Sequence, residues 1–476
     1  MMRTDPHEAS DTGKGQMNSV FSSGVKHGDQ QVSRRTLLGG AAGALFSIAS
    51  PHILADTDQQ SPSDTLNIAG IGLGYRGYMN IKKCATENIV ALCDVDWNLA
   101  APAAERFPDA ETYTDYRRMF DERDDLDAVV ISTPDHSHAV ITAEAMKRGL
   151  HVYTEMPLAH NVWEVRRLTE IAREKGVVTQ MGNQRHSAPV ARRACEWVWS
   201  GKLGPVRKVQ CWTNRPNWPQ GLEAPNATMS PPSSLDWDLW LGPVPEKQYS
   251  PAYHPGNWKG WRDFGTGALG AIGTYVMDAP YWALKLEKAS RFTVEADSTG
   301  LTGSSYPRAS TVRYEFPARG EMPPVELVWR DGGRLPPSPD GWPQNRETPG
   351  GNGFFIVGDE CTLTNDQTTG SSGTRLVPES RMAKVNAPGK QLPRLPEGDR
   401  YFPTRHQQDW VRACKKGEQP CSSFNYSGPL TEMVLLGNVA LAAGGRIEWD
   451  RKKMKITNDA EANQFLRRKY RQGWSL

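Results

Sequence analysis

The chain has 476 residues, with 56 Lys and Arg against 54 Asp and Glu, for a formal net charge of +2. That length suits two or three domains with a core large enough to need no disulfide scaffold, and the balanced charge excludes the basic stripe of a dedicated nucleic-acid binder. A mean hydropathy of −0.59, without an apolar run of about 18 residues, excludes a polytopic membrane protein.

In chain order, residues 1–32 are polar and lack hydrophobic period. Arg34-Arg35 then precedes the short Gly/Ala-rich stretch 39–49. This pattern is that of a twin-arginine export signal, with processing near Ala55 and a periplasmic or exported destination. Residues 56–64 read as a linker. Leu66–Ile71 is a buried strand running into Gly72-Leu73-Gly74-Tyr75-Arg76-Gly77 and a helix. In this GxGxxG the first glycine permits a tight turn, the second lets backbone approach a pyrophosphate, and the third lets helix pack on strand. Ile89–Cys93 is a second strand ending in Asp94, an acid placed to take ribose hydroxyls and favour NAD; Arg76 leaves NADP possible.

Strand and helix keep alternating. Helices are expected at 100–107, 115–120, 138–148 and 162–175, and strands at 127–132, 151–154 and 177–181. The pattern is a doubly wound parallel sheet over 65–182. The segments after its strands, 133–138, 155–158 and 180–186, should rim one crevice. Thr133, Pro134 and His138 are therefore candidate cofactor contacts, although His138 could equally pack beneath the cofactor. Beyond His186 the chain reads as a helix at 189–200, a strand at 206–213, a loop-rich segment at 214–260, strands at 291–296, 310–316, 325–329, 353–358 and 361–364, and helices near 406–416 and 430–444. Seven of the 16 tryptophans fall between Trp212 and Trp282; Trp218, Trp240, Trp258 and Trp261 could form sugar-stacking surfaces, Trp237 and Trp240 could equally be core or interface, and most of the seven are expected to be structural with one or two near the substrate. The seven cysteines form no CxxC pair, so buried thiols are expected rather than a metal site.

The chain resembles the Gfo/Idh/MocA family of NAD(P)-dependent oxidoreductases, most of which act on sugars, polyols and related compounds. The resemblance is carried by Gly72–Gly77, Asp94, Thr133-Pro134 with His138, Glu155-x-Pro157, Gln180–Gln184, Trp237–Gly242, Gly265–Gly270, Thr431-Glu432 and Leu436–Asn438, and covers nearly all of the chain after residue 64. It implies an α/β fold: an N-terminal Rossmann sheet, then a C-terminal α+β domain at 183–430 with an open, mostly antiparallel sheet. It also implies a terminal segment at 431–476 that packs back as a helix, NAD as cofactor, a small carbohydrate-like substrate, and a homo-oligomer. No nucleic acid, no metal, and no membrane after processing are expected.

The resemblance also implies a Lys, an Asp and a His near the reacting carbon. Their positions here hold Met156, Ala271 and Tyr275. Glu155 and Met156 sit where the family contacts the nicotinamide end. Tyr275 becomes the leading acid–base candidate, assisted by His186 or Glu155, although a phenol with a reference pKa of about 10 needs help to act as a base. Three functions follow. The first is an exported oxidoreductase on a sugar or polyol with a changed base. The second is a redox-neutral glycosidase or lyase using transient C3 oxidation and elimination. The third is a non-catalytic dinucleotide- or carbohydrate-binding protein.

Overall fold

The computed structural model describes residues 65–226, 229–343, 351–365, 374–395 and 405–476. The twin-arginine segment and the linker lie outside the described residues. The first half alternates β1 (Asn67–Ile71), α1 (Tyr75–Lys82), β2 (Asn88–Cys93), α2 (Trp97–Arg106), β3 (Glu111–Tyr113), α3 (Tyr116–Glu122), β4 (Ala128–Ile131), α4 (Asp135–Lys147), β5 (His151–Glu155), α5 (Val162–Lys175) and β6 (Thr179–Gly182). The strands form one parallel sheet in the order β3-β2-β1-β4-β5-β6. Its central strands read as continuous apolar runs because both faces are covered. β3 escapes a sequence reading: three residues, two of them exposed, carry no alternation.

The second half comprises α6 (Pro189–Trp199), β7 (Val206–Trp212), α7 (Trp237–Leu241), α8 (Gly267–Val276), α9 (Asp278–Ala283), β8 (Arg291–Thr299), β9 (Ala309–Phe316), β10 (Val325–Arg330), β11 (Gly353–Gly358), β12 (Thr362–Asn365), β13 (Arg375–Val377), α10 (Glu379–Lys384), α11 (His406–Lys416), α12 (Phe424–Ala443), β14 (Ile447–Asp450) and β15 (Lys455–Ile456). The sheet order is β13-β12-β11-β7-β10-β9-β8-β14-β15. β7 and β10 run parallel and the other pairings antiparallel. β9 shows the driving pattern: Ser310, Val312, Tyr314 and Phe316 turn inward, and the residues between them stay half-buried. α12 is apolar on nearly every side and packs against α5, α8 and β8, so it joins the two sheets.

Two expectations change. The stretch 431–476 does return to the first half of the fold, but only its start, within α12, is α-helical. After α12 it adds β14 and β15 to the second sheet, makes a 3-10 turn over Glu461–Leu466, and ends in an irregular tail. That tail is held by Arg468 and Tyr470, which reach the buried carboxylate of Glu164 at 3.0 and 2.7 Å. And α11, inside the range 183–430, packs on the first sheet, with Trp410 and Val411 among Ile68, Leu92 and Val130. No helix of the described residues is long and apolar enough to cross a membrane.

His406, at the start of α11, fastens that helix. Its Nε2 lies 2.8 Å from the Met181 carbonyl and its Nδ1 2.5 Å from the Ser187 hydroxyl. One neutral tautomer satisfies both, with Nε2–H donating and Nδ1 accepting. Burial pushes its pKa down to about 4. A group depressed on folding contributes stability above its unfolded pKa of about 6.5, and that contribution, about 3 kcal/mol in full, is lost as pH falls through the folded value. Denaturant titrations should therefore show stability declining from about pH 6.5 toward 4, with a slope about one proton smaller in His406→Gln.

Candidate active site

The glycine turn after β1 is built by exclusion. Gly72 has φ +76°, and a Cβ there would lie 2.7 Å from the Thr133 backbone nitrogen. A Cβ on Gly77 would fall 1.7 Å from the Gly72 carbonyl oxygen. Gly74 differs. Its backbone, φ −54° and ψ 175°, suits any L-residue. The nearest atom to a Cβ there is Leu99 Cβ, 4.0 Å away. Protein packing does not demand glycine at 74; an approaching ligand does. The open side of Gly74 faces a cavity of about 380 Å³ that also meets Gly72, Tyr75, Arg76, Asp94, Thr133 and Pro134. The Thr133 hydroxyl oxygen is buried there without a hydrogen-bond partner. An open glycine, an unused hydroxyl and the N-terminus of α1 fit a dinucleotide.

Asp94 accepts hydrogen bonds from the backbone of Leu73 at 2.5 Å and of Asp96 at 2.9 Å. Its carboxylate is thereby aimed across the turn, beside Asp115 on the same cavity. Burial raises its pKa, and the two backbone bonds oppose this. Arg76 leans the other way, toward Glu155 Oε1 at 3.7 Å, rather than waiting for a 2′-phosphate. Two carboxylates at the ribose end disfavour NADP.

The roof of the cavity comes from outside the Rossmann half. Trp240, His254, Trp258 and Lys259 line it, as does Trp474 near the end of the chain. His254 Nε2 meets Asp96 Oδ2 at 2.9 Å, tying this segment to the end of β2. Trp237 stacks on Trp240 at 4.7 Å, and Trp261 is buried with its indole N–H donated to Ala252. The tryptophan-rich segment is mostly structural, as expected: it forms its own small core, and Trp240 and Trp258 line the dinucleotide cavity.

A second group of polar side chains converges at the ends of β5 and β6. Glu155 Oε2 accepts from Asn80 and Gln184, each at 3.0 Å. Tyr275, from α8, donates toward Gln184 Oε1 at 2.5 Å and lies 3.3 Å from Glu155 Oε1. Burial is the main cause that raises the Glu155 pKa, with Arg76 opposing it. Burial, then the Glu155 charge, pushes the Tyr275 phenol far above its usual range. Tyr275 therefore holds its proton at neutral pH and serves as a donor rather than an initial base. It also borders a hollow lined by Arg185, Asn352, Phe354 and Asn365.

Not every sequence candidate reaches a cavity. Leu73 is core, with only its amide engaged. Gly77 serves packing. His138 is buried and bridges the carbonyls of Pro157 and Thr133 at 2.7 and 2.8 Å, so it ties two post-strand segments together instead of touching cofactor. Met156 is buried among apolar side chains. His186 is 1% exposed, bound to Asp278 at 3.0 Å and stacked on Trp282 at 4.6 Å, behind the crevice; it does not assist Tyr275. Sequence reading missed the roof residues and Asp115. No local motif marks Trp474 as a cavity residue, since it arrives by the return of the tail.

The architecture is that of a Rossmann-type parallel sheet followed by a second α/β domain built on a mixed sheet. Residues 66–183 match the family model described as "Oxidoreductase family, NAD-binding Rossmann fold", and residues 201–316 match "Oxidoreductase family, C-terminal alpha/beta domain". The chain thus carries the N-terminal and C-terminal domains of the Gfo/Idh/MocA oxidoreductases. It is 29% identical over 133 residues to a levoglucosan dehydrogenase of Pseudarthrobacter phenanthrenivorans, across 27% of this chain and 34% of that protein. It is 34% identical over 121 residues to a glycosyl hydrolase family 109 protein of a Shewanella species, across 23% of this chain and 26% of that protein. The matches span about a third or less of these relatives. The structure of GenD2 from gentamicin A biosynthesis in complex with NAD superposes with a TM-score of 0.57 at 18% identity, across 84% of this chain and 99% of that one, and shows the shared fold.

The glycine geometry gives a direct test. Gly74→Ala should leave the melting temperature of the cofactor-free protein within about 2 °C while weakening NAD binding at least about tenfold, as read by calorimetry. Gly77→Ala should instead destabilise the fold, because the Gly72 carbonyl occupies the space a methyl would need.

Proposed function

We propose that the protein is an exported NAD-dependent oxidoreductase acting on a sugar, polyol or related carbohydrate. The observation that carries this reading is the Glu155–Tyr275–Gln184 cluster at the carboxyl ends of β5 and β6, joined through Arg76 to the dinucleotide cavity. NAD held by the residues of this cavity would supply the hydride acceptor for a carbinol carbon. The chain's own residues must then remove the hydroxyl proton. Tyr275 would accept that proton as its own passes to Glu155, 3.3 Å away. Burial makes Glu155 a stronger base than a free carboxylate. Arg76 favours its ionised form against that burial. The amides of Asn352 and Asn365 with the guanidinium of Arg185 offer donors and acceptors suited to sugar hydroxyls. Dehydrogenase relatives support the substrate class, and Arg34-Arg35 with its apolar stretch supports export.

A second reading, redox-neutral chemistry on a glycoside with retained NAD, is favoured by one observation: the roof over the cofactor cavity. The likeness to a glycosyl hydrolase family 109 protein supports it too. Reduced-nicotinamide absorbance during incubation with a panel of sugars and aryl glycosides separates the two. Stoichiometric NADH is expected; glycoside cleavage without net NADH would move the assignment to the second reading. Tyr275→Phe should lower kcat/KM at least about 100-fold with NAD affinity unchanged, and full activity would remove Tyr275 from the chemistry.

A further inference from the structure

We infer that Lys259 is a pyrophosphate-binding residue of the dinucleotide site, delivered from outside the Rossmann half by the tryptophan-rich segment. The 3-10 turn Asn257–Gly260 places Trp258 and Lys259 on the wall of the cavity that also meets Gly72, Gly74 and Arg76. The Lys259 ammonium rests over the Trp258 ring, 4.2 Å from its centroid. Among the described residues no carboxylate forms an ion pair with it; by contrast, Lys247 of the same segment is paired with Asp263 at 2.5 Å. The nearest acid, Asp135, is already bound by the Thr266 hydroxyl at 2.6 Å. A partly buried ammonium with no carboxylate in ion-pair contact, and only the Thr266-bound Asp135 acting on it from further off, is costly in the free protein. An aromatic face offsets only part of that cost. A dianionic pyrophosphate beside Gly74 would offset the rest, where the α1 N-terminus supplies backbone donors.

The position is also fixed by packing. A Cβ on Gly265 would lie 2.4 Å from the Lys259 carbonyl oxygen, and one on Gly260 would lie 1.9 Å from the Pro219 carbonyl oxygen. Both neighbours are bare where this turn passes, so its backbone has little room to shift. The His254–Asp96 contact anchors the same segment to the end of β2. The cavity wall thus carries both signs of charge, Asp94 and Asp115 suited to ribose hydroxyls and Arg76 and Lys259 suited to phosphate oxygens. Burial lowers the Lys259 pKa, the Asp135 carboxylate opposes this and Arg76 adds to it; a bound anion would raise it.

Calorimetry with ADP-ribose and with adenosine tests the assignment on full-length apoprotein. Lys259→Met should weaken ADP-ribose about 10- to 100-fold while leaving adenosine unchanged, and should flatten the salt dependence of ADP-ribose binding. Lys259→Arg should stay within a few-fold of wild type. The melting temperature of apo Lys259→Met should be equal to or above that of wild type, because a partly buried cation without an ion-pair contact has been removed; a purely structural lysine would show the opposite. Unchanged ADP-ribose affinity overturns the proposal, as does an equal loss for adenosine. If Lys259→Met does not fold, Lys259→Gln carries the same comparison.

Discussion

Helix α1 approaches strand β1 so closely that the Gly72 carbonyl oxygen occupies the place where a Gly77 side chain would begin. That contact sets more than the phosphate turn. It fixes the helix rotation, and one turn further on Asn80 therefore points inward. Its amide nitrogen lies 3.0 Å from both the Ser132 hydroxyl and Glu155 Oε2. The constraint that lets a dinucleotide approach the backbone also aims the carboxylate nearest the proposed chemistry. A larger residue at 77 would disturb both sites through one displacement.

From Asn80 the polar network widens without reaching solvent. Gln407 of α11 donates to Asn80 Oδ1 at 3.0 Å and lies 3.3 Å from the Tyr153 hydroxyl, which also accepts from Gln184 at 2.9 Å. Gly182 has no side chain because Glu155 Oε2 would lie 2.2 Å from its Cβ. Five elements thus meet around one carboxylate. Each partner left unpaired in such surroundings costs about 1–3 kcal/mol, so the network over-determines the Glu155 rotamer. His406, one residue before Gln407, anchors α11 through Met181 and Ser187. Stability of that helix and geometry of the crevice are consequently coupled.

How much of this the sequence discloses depends on the range of the interaction. Periodicity and the glycine spacing are local, so strands β1, β2, β4, β5 and β6, helix α5 and the turn are legible to within a residue or two. Asp94 is legible because its distance from the turn is fixed by the βαβ unit. The crevice is half legible: Glu155 and Tyr275 were named from the family resemblance, but their contact through Gln184 joins residues about 90 positions apart. His186 misled because a histidine after a strand end looks available; its pairing with Asp278 and its burial against Trp282 and Tyr426 come from later segments. The tryptophans were half legible for a related reason. Composition shows that Trp240 and Trp258 cluster, but not which cavity their segment covers. That is decided by Asp96, whose carboxylate meets His254 158 residues away.

The positions where the family resemblance implies a lysine, an aspartate and a histidine hold Met156, Ala271 and Tyr275, and the surroundings of the first and last differ in kind. Met156 is buried in apolar surroundings, where an ammonium would need a counter-ion. Tyr275 in turn reaches down to the carboxylate that a lysine there would have neutralised. Positive charge is supplied from the cofactor side instead, by Arg76. Among the described residues the crevice then holds one acid–base system, the phenol of Tyr275 backed by Glu155, with His186 turned away. One such system matches one alcohol proton per hydride. A redox-neutral elimination needs a further proton removed from carbon next to the oxidised centre, so the same pair would have to act twice, regenerated between the steps. Glu155 has the features for such reuse: burial raises its proton affinity, and Arg76 at 3.7 Å favours its return to the ionised form. The choice between the two chemistries therefore rests less on an additional catalytic group than on whether the roofed cavity releases its dinucleotide before the proton comes back.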